Sequence, residues 1–420
     1  MTINSSSCSA LFLDSGGGWA RNKKNAFIIF GKPALSLFAG DGVVTVSLPE
    51  REYNTSRNPI SVLEGYLSEG YIAVGYLGYE FSRFTEEGFE PFNKKDGDRV
   101  PDLYFLFFRR EDVVSGGIHD LKKYLVPHTR QGVFSSAKFT AAGDPVDRPR
   151  SNMTKDEFIN MVTFAKDYIA SGDVYQVNLS QRFTTIVELS PLSYFLSLYS
   201  VQPVPFGCYI DFGGFQLISG SMELFLRKTG GKLVTRPIKG TRKRGSSVEE
   251  DAILKAELVS SEKERAENLM IVDLMRNDLG RVCRLGTVKV NKLFSIEPYS
   301  TLHQMVSEIE GLSKQEVSLV DIIRSTFPPG SVTGAPKKRA LEIIDELERH
   351  RRGPYCGAMG IFMPNGDFTL SVGIRILVAK QERAMFWVGA GIVWDSDPES
   401  EYEETLIKAR AIKKALGVVE

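Results

Sequence analysis

Residues Phe206–Thr241 read FGCYIDFGGFQLISGSMELFLRKTGGKLVTRPIKGT, and this stretch decides the fold class. Four short apolar runs (206–211, 215–219, 223–227 and 232–235) follow one another at hairpin spacing. Such a succession predicts antiparallel strands joined by tight turns. The same texture recurs on both sides. Ala26–Phe30 and Tyr104–Phe108 read as strands before it, and Ala358–Met363, Thr369–Leu377 and Met385–Val388 after it. From Tyr175 to Phe183, apolar Tyr175, Val177, Leu179 and Phe183 alternate with polar Gln176, Asn178, Ser180 and Arg182. A strand with one polar face results, which either lines a site or meets solvent.

Helices are fewer. Thr154-Lys155-Asp156-Glu157 and Ser261-Glu262-Lys263-Glu264 both have the capping-box spacing. Phe158, Met161, Val162, Ala165, Tyr168 and Ile169 then recur with helical period, and Ser171-Gly172 ends that helix. After the second box, Leu269, Met270, Val272 and Leu274 form a nearly continuous apolar run towards Asn277, which predicts a buried helix. Pro336 suits the first turn of a helix running towards Glu348, and a last helix starts near Asp397-Pro398. With strands in the majority, the fold class is α+β with large antiparallel sheets.

Length allows two or three domain-sized units or one large body. Ala141–Asn152, rich in Pro, Gly, Asp and Arg, reads as a connector. The chain is therefore divided into an N-terminal region, 1–148, and a motif-dense region, 149–420. Basic and acidic residues number 52 each, so no net field favours nucleic acid or an anionic membrane. Cys8, Cys208, Cys283 and Cys356 are far apart and fit reduced thiols in the cytoplasm. No signal-peptide core and no membrane-spanning run is present.

Pro237-Ile238-Lys239-Gly240-Thr241 sets one lysine in what reads as a Pro/Gly-bounded turn. Beside buried surface such a lysine loses its proton readily and becomes a nucleophile or base. Glu264 and Glu267 on one helix, and Glu401 and Glu404 on another, are i, i+3 pairs that share a helix face. Two carboxylates about 4 Å apart repel by roughly 4 kcal/mol at an effective dielectric near 20. Mg²⁺ relieves that cost, and so do ordinary ion pairs with Lys263, Lys408 or Arg410. The four histidines are scattered, which argues against zinc. Ser331–Lys337 leads from a turn into a helix N-terminus, a place that suits anions. Gly389-Ala390-Gly391 follows a strand and admits close ligand approach, and Arg375, in a strand, calls for a carboxylate partner.

Together these residues resemble the chorismate-utilising enzymes, the family of the anthranilate synthase and aminodeoxychorismate synthase large subunits. The matching segments are Tyr175–Leu179, Pro237–Thr241, Lys263–Asp278, Gly330–Lys337, Gly357–Gly360 and Gly389–Lys408. Leu11–Ser15 and Gly75–Glu80 match more weakly.

The resemblance implies two large packed antiparallel sheets with helices outside, and a Mg²⁺-dependent enzyme acting on chorismate. By motif, Glu267 and Glu404 would hold the metal, with Glu264 and Glu401 as water-mediated ligands. Arg375 would hold a substrate carboxylate. Thr333, Gly334, Gly389, Ala390, Gly391 and Lys408 would bind substrate around it. Lysine at position 239, where anthranilate synthases usually carry alanine, implies the aminodeoxychorismate branch that feeds p-aminobenzoate and folate. Glu223 would serve as acid and base, on the strand before Lys239. Anthranilate-forming relatives place a histidine before a Leu-Val-Ser-like triplet; here Gln304 precedes Met305-Val306-Ser307 and His303 sits one position earlier.

No Gly-x-Cys-x-Gly elbow is present, so ammonia must come from a glutamine amidotransferase subunit or from free ammonium. Leu11–Ser15 with Gln202–Phe206 resembles the tryptophan pocket of relatives, although the prolines and Phe206 serve plain packing equally well. The alternatives are anthranilate synthase component I, an isochorismate or salicylate synthase using water, and a non-catalytic binding subunit.

Overall fold

The computed structural model describes residues 8–19, 26–91, 94, 99–124, 148–186, 190–299 and 302–418. The 141–147 part of the expected connector lies outside them. Among the described residues, every strand pair is antiparallel, and the strands form one ten-stranded and one twelve-stranded sheet. Strands from 1–148 enter both sheets: Ala10–Asp14 pairs with Phe206–Asp211, and Ile72–Leu77 pairs with Ala358–Phe362.

The packing follows from period-two side-chain alternation. In Ala10–Asp14, Ala10 and Phe12 join the main core that both sheets share, whereas Leu11 and Leu13 join a second cluster on the other face. That second cluster lies under helices Pro191–Val201 and Pro398–Ala415, through Tyr194, Phe195, Ala409 and Ile412. A strand buried on both faces reads as an unbroken apolar run, as Ala10-Leu11-Phe12-Leu13 does. The expected α+β fold of two packed antiparallel sheets with outer helices is the observed one.

The opening stretch departs from a simple meander. Phe206–Asp211 and Gln216–Ser221 form a hairpin in the ten-stranded sheet, but Leu224–Thr229 and Lys232–Arg236 form one in the twelve-stranded sheet. The chain changes sheets at Met222-Glu223, so Glu223 sits at a crossing and not on a strand. The expected strand Thr369–Leu377 likewise splits into Phe368–Val372 in one sheet and Ile376–Lys380 in the other. Arg375, expected in mid-strand, occupies this second crossing with φ 52°. The crossings are bonded side by side: Gly220 N–H donates to Arg375 O (2.9 Å) and Val372 N–H to Glu223 O (3.0 Å).

Thr154 forms the expected capping box with Glu157. At Ser261 the hydroxyl accepts from Glu264 N–H (3.4 Å) to start helix Glu262–Val282. This helix buries one face only: Asn268, Ile271, Val272, Met275 and Leu279 point inward, while Leu269 is 44% exposed. The expectation of all-round burial fails because the apolar run wraps past the buried stripe. No described helix is long and apolar enough to cross a membrane.

Candidate active site

Lys239 lies in strand Ile238–Lys243, not in a free turn. That strand pairs with Leu302–Leu312, and its register shifts between Ile238 and Thr241. Pro237 and Gly240, which suggest a turn, mark a strand entry and a bulge instead. Gly240 has φ +86°, and a Cβ there would come within 3.0 Å of Glu264 Oε2 and Leu258 Cδ1. The bulge therefore brings helix Glu262–Val282 against the strand, and Lys239 Nζ stands 3.9 Å from Glu267 Oε2.

A cavity of 730 Å³ opens here. Lys239, Glu223, Arg375, Gly389, Gly391, Lys408 and all four motif glutamates line it. Gly389 and Gly391 lie within strand Arg383–Ile392, opposite Ser180 and Asn178, rather than after a strand. Ala390, between them, turns away into the core. Thr333 and Gly334 stand behind the wall. Thr333 donates its hydroxyl to Pro329 O (2.9 Å). Gly334 abuts the strand Gln176–Ile186 so closely that a Cβ would lie 2.2 Å from Gln176 O. Lys337, the first residue of the helix whose N-terminus was expected to suit an anion, is buried and turns its ammonium to Asp278 (2.8 Å) and Thr326 O (2.9 Å).

Glu223 is 4% exposed. Burial pushes its carboxyl up to about 7, against the opposing pull of Ser331, Lys239 and the Ile238 N–H. Ser331 Oγ donates to it at 2.5 Å. Arg375 donates to Lys408 O, and burial lowers its pKa. Among the described residues no carboxylate forms an ion pair with it, so its expected protein partner is missing and an anionic ligand could take that role. Lys408, in contrast, is engaged with Glu404 (2.6 Å) and Gly389 O (2.9 Å).

The four glutamates meet across the cavity from helices Glu262–Val282 and Pro398–Ala415. Burial, then neighbouring carboxylates, raises the pKa of Glu267 and Glu401, while Lys408 holds that of Glu404 down against its own burial. Each has a basic partner: Lys239 on Glu267, Arg242 on Glu264 (3.2 Å), Lys263 on Glu401 (3.9 Å), and Lys408 on Glu404. Among the described residues no three acidic, histidine or cysteine side chains converge to metal-binding distance. The donor type, a set of hard carboxylate oxygens under mutual repulsion, fits Mg²⁺. Gathering them requires these cations to give way.

Strand alternation resolves the His303 register. Gln304 lines the cavity, and His303 turns away to Asp251 (2.9 Å). Gln176 and Asn178 are buried rather than solvated, and neither Gln176 amide atom has a hydrogen-bond partner among the described residues. Tyr355, outside every motif, and Ser331, inside the Ser331–Lys337 segment but given no role of its own, also line the cavity. The turn Gly353-Pro354-Tyr355-Cys356-Gly357 is the one available signal for Tyr355.

A second cavity, of 510 Å³, is lined by Ser15–Gly18, Pro203, Pro205 and Phe206, with Arg227, Arg236 and Glu297. Trp19 packs beside it on Phe206 and donates its indole N–H to Gly207 O (3.0 Å). All four cysteines are free and buried.

Anthranilate synthase component 1 of Aquifex aeolicus is 46% identical over 271 residues, 64% of this chain and 55% of that protein. Aminodeoxychorismate synthase component 1 of Bacillus subtilis is 40% identical over 363 residues, 82% of this chain and 76% of that protein. The crystal structure of anthranilate synthase component I from Streptococcus pneumoniae has a TM-score of 0.79 at 29% identity, covering 92% of each chain. The chain spans little more than half the length of the first of these relatives. Residues 55–414 match the chorismate binding enzyme family, a span that takes in every residue lining the large cavity, and the chain belongs to that family.

Proposed function

We propose that this chain is the large subunit of an aminodeoxychorismate synthase, converting chorismate and ammonia to 4-amino-4-deoxychorismate in the cytoplasm. The observation that carries this reading is Lys239 in one cavity with Glu223, whose carboxyl is pushed up to about 7. An acid of that strength both gives and takes a proton near neutral pH.

In the proposed sequence the Lys239 amine attacks C2 of chorismate. The ring double bonds shift and the 4-hydroxyl leaves as water, taking its proton from Glu223. Ammonia then adds at C4, the bonds shift back, and the lysine amine departs from C2. Glu223 recovers a proton from the added nitrogen. Arg375 would hold a substrate carboxylate. Mg²⁺, when bound by Glu267 and Glu404 with Glu264 and Glu401 through water, would neutralise the carboxylates and orient the substrate. Ammonia would come from a separate glutamine amidotransferase subunit. The second cavity is where tryptophan would bind, with Arg227 or Arg236 for its carboxylate and Glu297 for its ammonium group.

The second reading is anthranilate synthase, favoured by the identity to relatives of that name. Gln304 in the cavity, where anthranilate-forming relatives carry histidine, speaks against loss of pyruvate. Incubation of the protein with chorismate, Mg²⁺ and ammonium separates these readings by product mass. Aminodeoxychorismate without pyruvate supports the proposal. Anthranilate with pyruvate, or isochorismate or salicylate, refutes it.

A further inference from the structure

Arg352 heads the largest fully buried side chains, at 1% exposure, and has no part in the proposed chemistry. A buried guanidinium is costly unless its donors are all met. Here Nε and Nη2 form a fork on Glu348 (2.9 and 2.6 Å). Nη2 also donates to Asn178 O (2.6 Å) and Nη1 to Val332 O (3.2 Å). The planar group lies over the Tyr79 ring, 4.5 Å from its centroid, and 5.9 Å from that of Tyr355. Glu348 in turn accepts from Ser180 N–H (2.7 Å) and Oγ (2.8 Å). The Arg352 backbone is itself fixed, its N–H donating to Glu80 at 2.8 Å.

Two of these contacts end on the cavity wall. Asn178 and Val332 both line it, and the residue before Val332 is Ser331, whose hydroxyl holds Glu223. We propose that Arg352 is a positioning residue: by gripping the Val332 carbonyl it sets Ser331 against Glu223, and by gripping the Asn178 carbonyl it keeps the adjoining strand in register with that loop. Arginine is required because one rigid fork must serve a carboxylate and two carbonyls in different directions, which a lysine ammonium on a flexible stem does not. This inference rests on the acid–base role proposed for Glu223. The other groups that act on Glu223 are Lys239 and the Ile238 N–H, and Tyr299 and Cys356 feel its charge; none is held by the Arg352 fork.

The test compares pH–rate profiles of product formation from chorismate for wild type, Arg352→Lys, Ser331→Ala and the double variant, with melting curves to verify folding. Lysine keeps the positive charge, so a shifted limb reports geometry rather than a lost field. Ser331→Ala removes a bond that lowers the Glu223 pKa, so the Glu223 limb should move to higher pH, by about half a unit or more. Arg352→Lys should move the same limb the same way and lower kcat by about ten- to a hundredfold. The double variant should shift it no further than Ser331→Ala alone.

A limb that moves in Ser331→Ala but not in a folded Arg352→Lys overturns the inference, as do additive shifts. A limb unmoved by Ser331→Ala removes the Glu223 reading, and the inference falls with it. If Arg352→Lys does not fold, Glu348→Gln weakens the guanidinium's own anchor and reads the same limb: loss of the Glu348 charge by itself moves the limb to lower pH, so a shift to higher pH supports the inference, and no shift or a downward one overturns it.

Discussion

Replacing Glu223 with glutamine should make the protein more stable at alkaline pH. The buried carboxyl titrates at about 7 instead of the ordinary 4.5, chiefly because burial disfavours its charge. Between those values the folded protein keeps a proton that the unfolded chain has lost. Folded protein then binds more protons than unfolded, so stability falls as pH rises through this window. At about 1.4 kcal/mol per tenfold change in proton affinity, the full cost above pH 7 is about 3 kcal/mol. Glutamine has the same shape, can still accept from Ser331 through its carbonyl oxygen, and carries no charge. Urea unfolding of wild type and Glu223→Gln at pH 4.5 and pH 8 reads this out. The variant should be near wild type at pH 4.5 and more stable by about 2–3 kcal/mol at pH 8. A stability difference that does not change with pH would refute the reasoning, because it would mean that the folded protein does not suppress ionisation at this position.

Lys239→Ala should lower aminodeoxychorismate formation by at least about 10³-fold while the protein stays folded, measured by product chromatography; undiminished product would exclude the lysine as nucleophile. Arg375→Met removes a charge-assisted contact worth about 1.5–3 kcal/mol, so chorismate affinity measured by calorimetry should weaken about ten- to a hundredfold. Glu404→Gln should weaken Mg²⁺ binding, seen as a smaller Mg²⁺-induced rise in melting temperature, and chelation should stop turnover in wild type and be reversed by added Mg²⁺.

The strands were legible because their apolar runs are short and the turns between them close. Which sheet each strand joins was not, since Phe206–Ser221 and Leu224–Arg236 have the same local pattern on either side of Glu223. Arg375 between two isoleucines looked like strand for the same reason; only the backbone reveals the left-handed residue at the crossing. At Lys239 the flanking proline and glycine mark a strand entry and a bulge, which sequence alone does not distinguish from a turn. Most of the candidate site came from family resemblance, and Glu223, Lys239, Arg375 and the glutamates do share one cavity. Ser331 lies in the Gly330–Lys337 segment, but nothing there marks its side chain for the cavity, and Tyr355 and Arg352 carry no motif that distinguishes them from ordinary turn and core residues.

The paired crossings also bear on how the protein acquires its shape. Each hairpin closes over a few residues, but Glu223 and Arg375 are brought together by bonds such as Gly220 to Arg375 and Val372 to Glu223, between segments far apart in the chain. Contacts of large sequence separation are slow to form because the intervening loop must close first. The meeting of Glu223 and Arg375 in one cavity therefore has no local precursor. Hairpins and helices need no such closure, so on refolding the cavity should be completed after most of the secondary structure, and a chain with nearly all its strands and helices would still lack it.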